Sequence, residues 1–226
     1  MSKETLKERG SELKDFFPKN GSVEIISGCM FSGKTEELIR RLKRVRIALD
    51  IHVKQGRLTR EIAEEAIKAF KPSIDNRYSE SDLDSHGGGK WSGYAIDREH
   101  PKKEILSVIT ENTKIVGIDE AQFFSPELLE VCDELASRGI RVIVAGLDTN
   151  FRGEIFGIMG DLITSSDKKD AVTAICMICG EDATRTQRIV NGKPANYGDD
   201  LIVVGAEESY EARCRKHHEV PGKPTK

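Results

Sequence analysis

The feature that most constrains the fold is a strand, a glycine-bounded loop and an amphipathic helix in direct succession. Val23 to Ser27 (VEIIS) is a β-rich apolar run of the kind buried in a parallel sheet. Gly28-Cys29-Met30-Phe31-Ser32-Gly33-Lys34-Thr35 follows and fits G-x-x-x-x-G-K-[ST], the phosphate-binding P-loop. Next comes TEELIRRLKRVRIA, with Leu38, Leu42 and Val45 at helical spacing and charges between them. The physical reading is specific. Glycines let backbone N–H groups wrap phosphates, and the helix that starts there points its positive end at the anion. Lys34 neutralises the β- and γ-phosphates, and the Thr35 hydroxyl is a ligand for Mg²⁺. A chance glycine turn can match the pattern alone; the flanking strand and helix are what distinguish a P-loop.

The same alternation continues. Lys114 to Asp119 (KIVGID) reads as a second strand. SPELLEVCDELASRG reads as a helix with Ser125 as N-cap and Gly139 as its stop, and Ile140 to Asp148 (IRVIVAGLD) as a third strand. Strands alternating with helices predict an α/β fold: a P-loop NTPase-like parallel sheet flanked by helices. From about residue 171 the character changes to short polar runs, paired cysteines and turn residues. The expected organisation is a polar N-terminal arm over 1–20, a P-loop α/β domain over 21–170, a small zinc-binding lobe over 171–220 and a tail over 221–226. With 226 residues the chain can fill one core and a small lobe. A formal net charge of -3, with 32% charged residues, gives no electrostatic case for coating nucleic acid or a membrane surface. No apolar run approaches the ~20 residues that span a bilayer, and the charged start MSKETLKERG lacks the apolar core of an export signal, so the expected setting is the cytoplasm.

Two further clusters carry chemistry. Asp119-Glu120 closes the strand KIVGI. In P-loop proteins a carboxylate at such a strand end holds magnesium, which suits Asp119. Glu120 is then placed to accept a proton from an attacking hydroxyl. The alternative is a pair of solvated acids at a strand terminus. In the lobe, Cys176-x-x-Cys179 and Cys214-x-x-His217 form two half-sites that together offer four ligands to one structural Zn²⁺, with His218 open as a substitute for His217. A lone C-x-x-C would read as a redox pair; the second half-site argues for zinc. Cys29 and Cys132 read as packing residues.

The runs GCMFSGKTEELIRRLKR, FKPSIDNRYS, SHGG, IDEAQFF, VIVAGLDTNFRGEIFG, CMIC and VVGAEESYEARCRKHH occur in this order. Together they resemble cellular-type (type II) thymidine kinase over roughly residues 22 to 220. The resemblance implies transfer of the γ-phosphate of ATP to the 5′-hydroxyl of thymidine, or deoxyuridine, with Mg²⁺. It implies a structural Zn²⁺, a homotetramer, inhibition by dTTP, and a lasso-like loop on the zinc lobe that closes over the nucleoside. It makes Glu120 the base that deprotonates the 5′-hydroxyl. It groups Gly28, Met30, Phe31, Ser32, Gly33, Lys34, Thr35, Asp75, Arg77, Asp119 and Gln122 with ATP and its phosphates. It sets Met30 near the thymine methyl and Phe123, Leu147, Phe151 and Phe156 as apolar walls. Val203, Val204, Gly205 and Tyr210 belong to the lasso, whose backbone reads the thymine edge. A flat ring with a donor–acceptor edge suits aromatic walls and backbone hydrogen bonds. Without the resemblance, Phe123 and Phe124 read as core packing, Phe151 and Phe156 as loop anchors, and Arg77 as a surface ion pair. His86 matches a family histidine without a defined role.

One stretch departs from the family pattern. Between Ala48 and Phe70 the chain is longer by roughly a dozen residues than the usual link, an insertion at about 49–65 of modest entropic cost. TREIAEEAIKAF has strong helix propensity and a Thr N-cap, where the family has a strand before FKP. Either AIKAF is forced into that strand, or the strand is remodelled. Two other functions fit parts of the sequence. A P-loop ATPase or GTPase coupled to motion would need switch segments, and the zinc lobe has no place in it. A zinc-knuckle nucleic-acid module would need a basic patch, whereas the lobe carries EDATR and GAEES of mixed charge.

Overall fold

The computed structural model describes residue 17 and residues 20–73, 82–84, 88–201 and 208–224. Its centre is a six-stranded sheet in the order β5-β2-β6-β7-β1-β8, all of whose pairings are parallel. The strands are β1 (Ser22–Gly28), β2 (Ile67–Pro72), β5 (Tyr94–Ile96), β6 (Ile115–Ile118), β7 (Arg141–Leu147) and β8 (Lys168–Ala171). A short hairpin, β3 (Asp82–Asp84) with β4 (Lys90–Ser92), lies beside it. The apolar runs end up at the centre because both faces are covered: every residue of β6 and six of the seven in β1 and in β7 are buried.

Alternation along each strand sorts the core into two layers. On one face α1 (Lys34–Lys54) and α2 (Arg60–Glu65) pack Leu38, Leu42, Leu49 and Ile62 against Ile26, Ile67, Ile115, Ile143 and Ala145. On the other, α3 (Pro101–Val108), α4 (Glu127–Ser137) and α5 (Met159–Ser165) pack Ile105, Leu128, Val131, Leu135, Met159 and Leu162 against Ile25, Phe70, Val116, Ile118, Val142 and Val144. Cys132 belongs to this second layer, and its burial pushes the thiol up to about 12, which leaves it a packing residue. Among the described residues, no helix is long and apolar enough to cross a membrane.

The inserted stretch takes both of the conformations that its sequence allowed. Thr59 caps α2, its hydroxyl accepting from the Ile62 N–H at 3.4 Å, and α1 runs on to Lys54 to meet it. The helix then stops at Glu65, and Ile67 to Pro72 pairs between β5 and β6. Buried Ile67, Ala69 and Phe70 stabilise the strand, so tertiary pairing overrides local helix propensity there. The Ser125 side chain is a correction. It donates to the Glu99 carbonyl at 2.9 Å instead of capping, and Pro126 holds the N-cap position of α4.

The C-terminal lobe is built from two small antiparallel sheets: β9 (Ala174–Ile175) with β10 (Asp182–Ala183), and β11 (Arg185–Val190) between β12 (Lys193–Pro194) and β13 (Glu208–Arg213). Residues 221–224, the described part of the expected tail, pack back on the chain: the Tyr197 N–H of the lobe donates to the Pro221 carbonyl at 2.8 Å, and Lys223 Nζ donates to the Arg152 carbonyl in the loop after β7.

Candidate active site

In a parallel sheet, the carboxyl ends of neighbouring strands open one crevice. Here β1 delivers the P-loop, β6 delivers Asp119 and Glu120, and β7 delivers Leu147 and the loop behind it. The P-loop turns tightly on itself. Lys34 Nζ and Ser32 Oγ both donate to the Cys29 carbonyl at 2.7 Å, and Phe31 and Gly33 take positive φ angles of 64° and 82°. Gly28 is required by close approach, since a Cβ there would lie 2.3 Å from the Val172 carbonyl oxygen. The lobe braces the next two residues: Cys29 Sγ donates to the Ala183 carbonyl at 3.3 Å, and the Met30 N–H donates to Thr186 Oγ1 at 3.0 Å.

Facing the loop, the Thr35 hydroxyl donates to Asp119 Oδ2 at 2.9 Å, and the Glu120 N–H donates to Asp119 Oδ1 at 3.0 Å. Burial first, and the Glu120 charge second, push the Asp119 carboxyl up to about 7, against Thr35, the Glu120 N–H and Lys34, which favour its ionised form. Burial likewise lowers Lys34 from the ordinary lysine range, with Glu120, Cys29, Asp119 and Asp148 pulling the other way. Buried titratable groups perturbed in this way mark a candidate functional site. Hydroxyl and carboxylate oxygens are also the hard donors that Mg²⁺ takes, so Thr35 and Asp119 fit that ion.

These polar residues open into a cavity of about 580 Å³. Its lining includes Met30, Lys34, Thr35 and Glu120 together with Phe123, Leu147, Phe151, Phe156 and Tyr210. Phe123 and Phe156 meet edge to face with centroids 5.5 Å apart. Phe151 is buried beneath the guanidinium groups of Arg152 and Arg188, at 5.5 and 5.2 Å. Arg98, Asn150, Thr186 and Leu201 also line the cavity; the sequence reading missed them. No motif marks Thr186 or Arg98, which reach the cavity through the β11 register and the turn after β5.

Among the other residues grouped with ATP, Phe31 is half exposed at the cavity mouth. Gln122 is buried, its amide between Glu120 and the Leu147 N–H. Asp75, Arg77, His86, Val203, Val204 and Gly205 lie outside the described residues. The strands before and after residues 202–207 are described: β11 pairs with β13 so that Thr186 faces Ala212 and Arg188 faces Tyr210. Arg152 Nη2 donates to the Asp199 carbonyl at 2.7 Å and Arg188 to that of Asp200, which anchors the approach to them.

Cys176, Cys179, Cys214 and His217 bring their ligand atoms within 4.8 Å of one another and could hold a zinc ion. A tetrahedral zinc with ~2.3 Å bonds sets its sulfurs about 3.8 Å apart, the separation found between Cys179 Sγ and Cys214 Sγ, 3.8 Å. His217 Nδ1 lies 3.2 Å from Cys214 Sγ and 3.8 Å from Cys176 Sγ. Burial pushes the Cys176 thiol up, but backbone N–H groups of Cys214, Ile178 and Cys179 and the His217 side chain outweigh it and bring it to about 5, so the thiolate a metal needs is accessible. His218 turns the other way: its Nε2 donates to the Phe151 carbonyl at 2.8 Å and fixes the aromatic wall.

The thymidine kinase family model matches residues 21–218, from the start of the strand before the P-loop to His218, just past the zinc-type cluster, and the chain belongs to the thymidine kinase family.

Proposed function

We propose that the chain transfers the γ-phosphate of ATP to the 5′-hydroxyl of thymidine, giving dTMP in pyrimidine salvage, and likewise to that of deoxyuridine, giving dUMP, as a cellular-type (type II) member of its family. One observation carries the reading: P-loop residues, the Glu120 carboxylate and the apolar side chains of Phe123, Leu147, Phe151 and Phe156 line a single cavity. P-loop amides and Lys34 hold the triphosphate, while Met30, Phe123, Leu147, Phe151 and Phe156 enclose the base, and Tyr210 with the lasso residues Val203, Val204 and Gly205 covers it. Such a division holds the two reactants in line, which is most of what phosphoryl transfer asks of a protein. Glu120 takes the proton from the 5′-hydroxyl as it attacks. Thr35 and Asp119 would hold Mg²⁺, which neutralises charge on the phosphate oxygens. Arg77, with Asp75, supplies a further contact to the transferring group. Zn²⁺ on Cys176, Cys179, Cys214 and His217 is structural, since four protein ligands leave no open position. The working form is a cytoplasmic homotetramer, inhibited by dTTP.

Replacing Glu120 by Gln tests the assignment. The amide keeps the size and most contacts but cannot accept the proton. Expected is a fall in kcat of ~10²–10⁴-fold, the usual contribution of a general base, with ATP affinity within about threefold. Wild-type kcat in this variant would refute the base assignment.

A further inference from the structure

Gln122 is only 3% exposed, yet it lies two residues after Glu120, on the single-turn 3-10 helix Ala121–Phe123. Its side chain crosses to the end of β7, where Oε1 accepts the Leu147 N–H at 2.9 Å. A backbone N–H can only donate, so this contact fixes which end of the amide is oxygen. The other end is therefore Nε2, and it donates to Glu120 Oε2. Both ends of the amide are thus used inside the protein.

The surroundings make this arrangement rigid. A Cβ on Gly146 would lie 3.0 Å from Gln122 Oε1 and 2.6 Å from Met159 Sδ. One on Gly157, whose φ is +53°, would lie 2.2 Å from the Gln122 carbonyl oxygen. Two glycines are what let this side chain and its backbone fit. Glu120 itself sits in left-handed backbone, φ 51° and ψ 41°, a conformation that costs a non-glycine residue energy and persists where neighbours hold it. Such strain collects where a side chain has to be aimed.

We propose that Gln122 is a positioning residue for the phosphoryl-transfer step: it clamps the Glu120 carboxylate to the β7 wall of the cavity, so that the base is aimed before the nucleoside arrives. The inference rests on the reading of Glu120 as base. Leu147, whose N–H anchors the clamp, is itself a wall of the cavity, so base and nucleobase wall are referred to the same strand end.

Two variants test it. Gln122→Glu retains an oxygen for the Leu147 N–H but loses the donor to Glu120. Gln122→Met retains the length and loses both hydrogen bonds. In each variant that folds, as judged by its melting curve, kcat should fall roughly 10–100-fold, the scale on which misaimed groups lose rate. KM for ATP and for thymidine should stay within about threefold. In a Glu120→Gln background, neither substitution should lower kcat further by more than about twofold, because a residue that acts through another is silent once that one is gone. If Gln122→Glu keeps wild-type kcat, or if the losses multiply in the Glu120→Gln background, the proposal is overturned. Wild-type kcat in Glu120→Gln alone would identify a different failure, that of the base assignment, and would remove the proposal with it.

Discussion

Replacing Cys176 by Ser should disable the P-loop as well as the lobe, and the structure sets the scale of both effects. The small apolar cluster beneath the metal-type site consists of Cys29, Ala174, Cys176, Ala183, Ala212 and Cys214. Three alanines in it contribute about 0.8 kcal/mol each at the usual value per buried carbon, far below the ~10 kcal/mol or more that a structural zinc supplies. A zinc held there would be the main stabiliser of the lobe, whereas the two layers of the main sheet have their own apolar cores. Loss of a ligand should weaken zinc binding by at least ~100-fold, beyond what disturbing a ligand's hydrogen-bond partner does. The P-loop then loses two braces, Cys29 Sγ to the Ala183 carbonyl and the Met30 N–H to Thr186 Oγ1. At about 1 kcal/mol net for each hydrogen bond, the ceiling on lost ATP affinity is ~2 kcal/mol, or about 30-fold. The assay is zinc per chain by chelator absorbance, with nucleotide affinity measured by calorimetry on the same sample. One tightly held zinc per chain would refute the ligand assignment. Zinc loss with ATP affinity unchanged would refute the coupling to the loop.

Three further perturbations have defined outcomes. Lys34→Ala should cut kcat/KM for ATP by at least ~10³-fold, because no other cation is on the loop itself; steady-state kinetics showing less than a tenfold loss would contradict its role on the phosphates. Gly157→Ala should cost about 2 kcal/mol or more, from left-handed backbone and a clash with the Gln122 carbonyl, a fall in Tm of roughly 4–8 °C for a chain of this size; an unchanged melt would refute it. Acid stability should report the cluster around Arg41, which bonds Glu24, Glu37 and Asp170. Two hydrogen bonds from Arg40, then one from Arg41 against the opposing effect of burial, hold the Glu37 carboxyl at about 2; Glu24, where burial is outweighed chiefly by Arg141, and Asp170, bonded to Arg41, also lie below their ordinary values. A folded pKa below the unfolded one stabilises at higher pH, and this stability is lost as pH falls from about 4.5 toward 2. Denaturant midpoints should drop across that window and drop less in Arg41→Met; a flat profile in the native chain would contradict the argument.

Three central strands of the parallel sheet were legible because they are nearly uniform apolar runs bounded by turn signals: β1, β6 and β7 appear where VEIIS, KIVGI and IRVIVAGL stand, whereas β8, KKDA, carries no such signal. The meeting of Thr35 and Asp119 was legible too, since a P-loop and an acidic strand end have one way to approach each other in such a sheet. What local patterns could not specify was set by contacts distant in sequence. The chain's change from helix to strand at Ala66 is decided by β6 and β5, not by the residues that change. Thr186 reaches the P-loop only through the fold of the lobe. The choice between His217 and His218 depends on which imidazole faces the sulfurs, and neighbours in sequence are too alike to show that. Gln122 was grouped with ATP by the family resemblance, and its burial against Leu147 and between two glycines appears only in three dimensions.

The most direct test of the account is a phosphorylation assay over a panel of nucleosides, with ATP, Mg²⁺ and the zinc-loaded chain. ADP release that depends on thymidine or deoxyuridine, gives the 5′-monophosphate, and is absent without nucleoside is the predicted result. ADP release at the same rate without any nucleoside, or none with thymidine, would contradict the claim that one cavity holds a triphosphate and a pyrimidine nucleoside together.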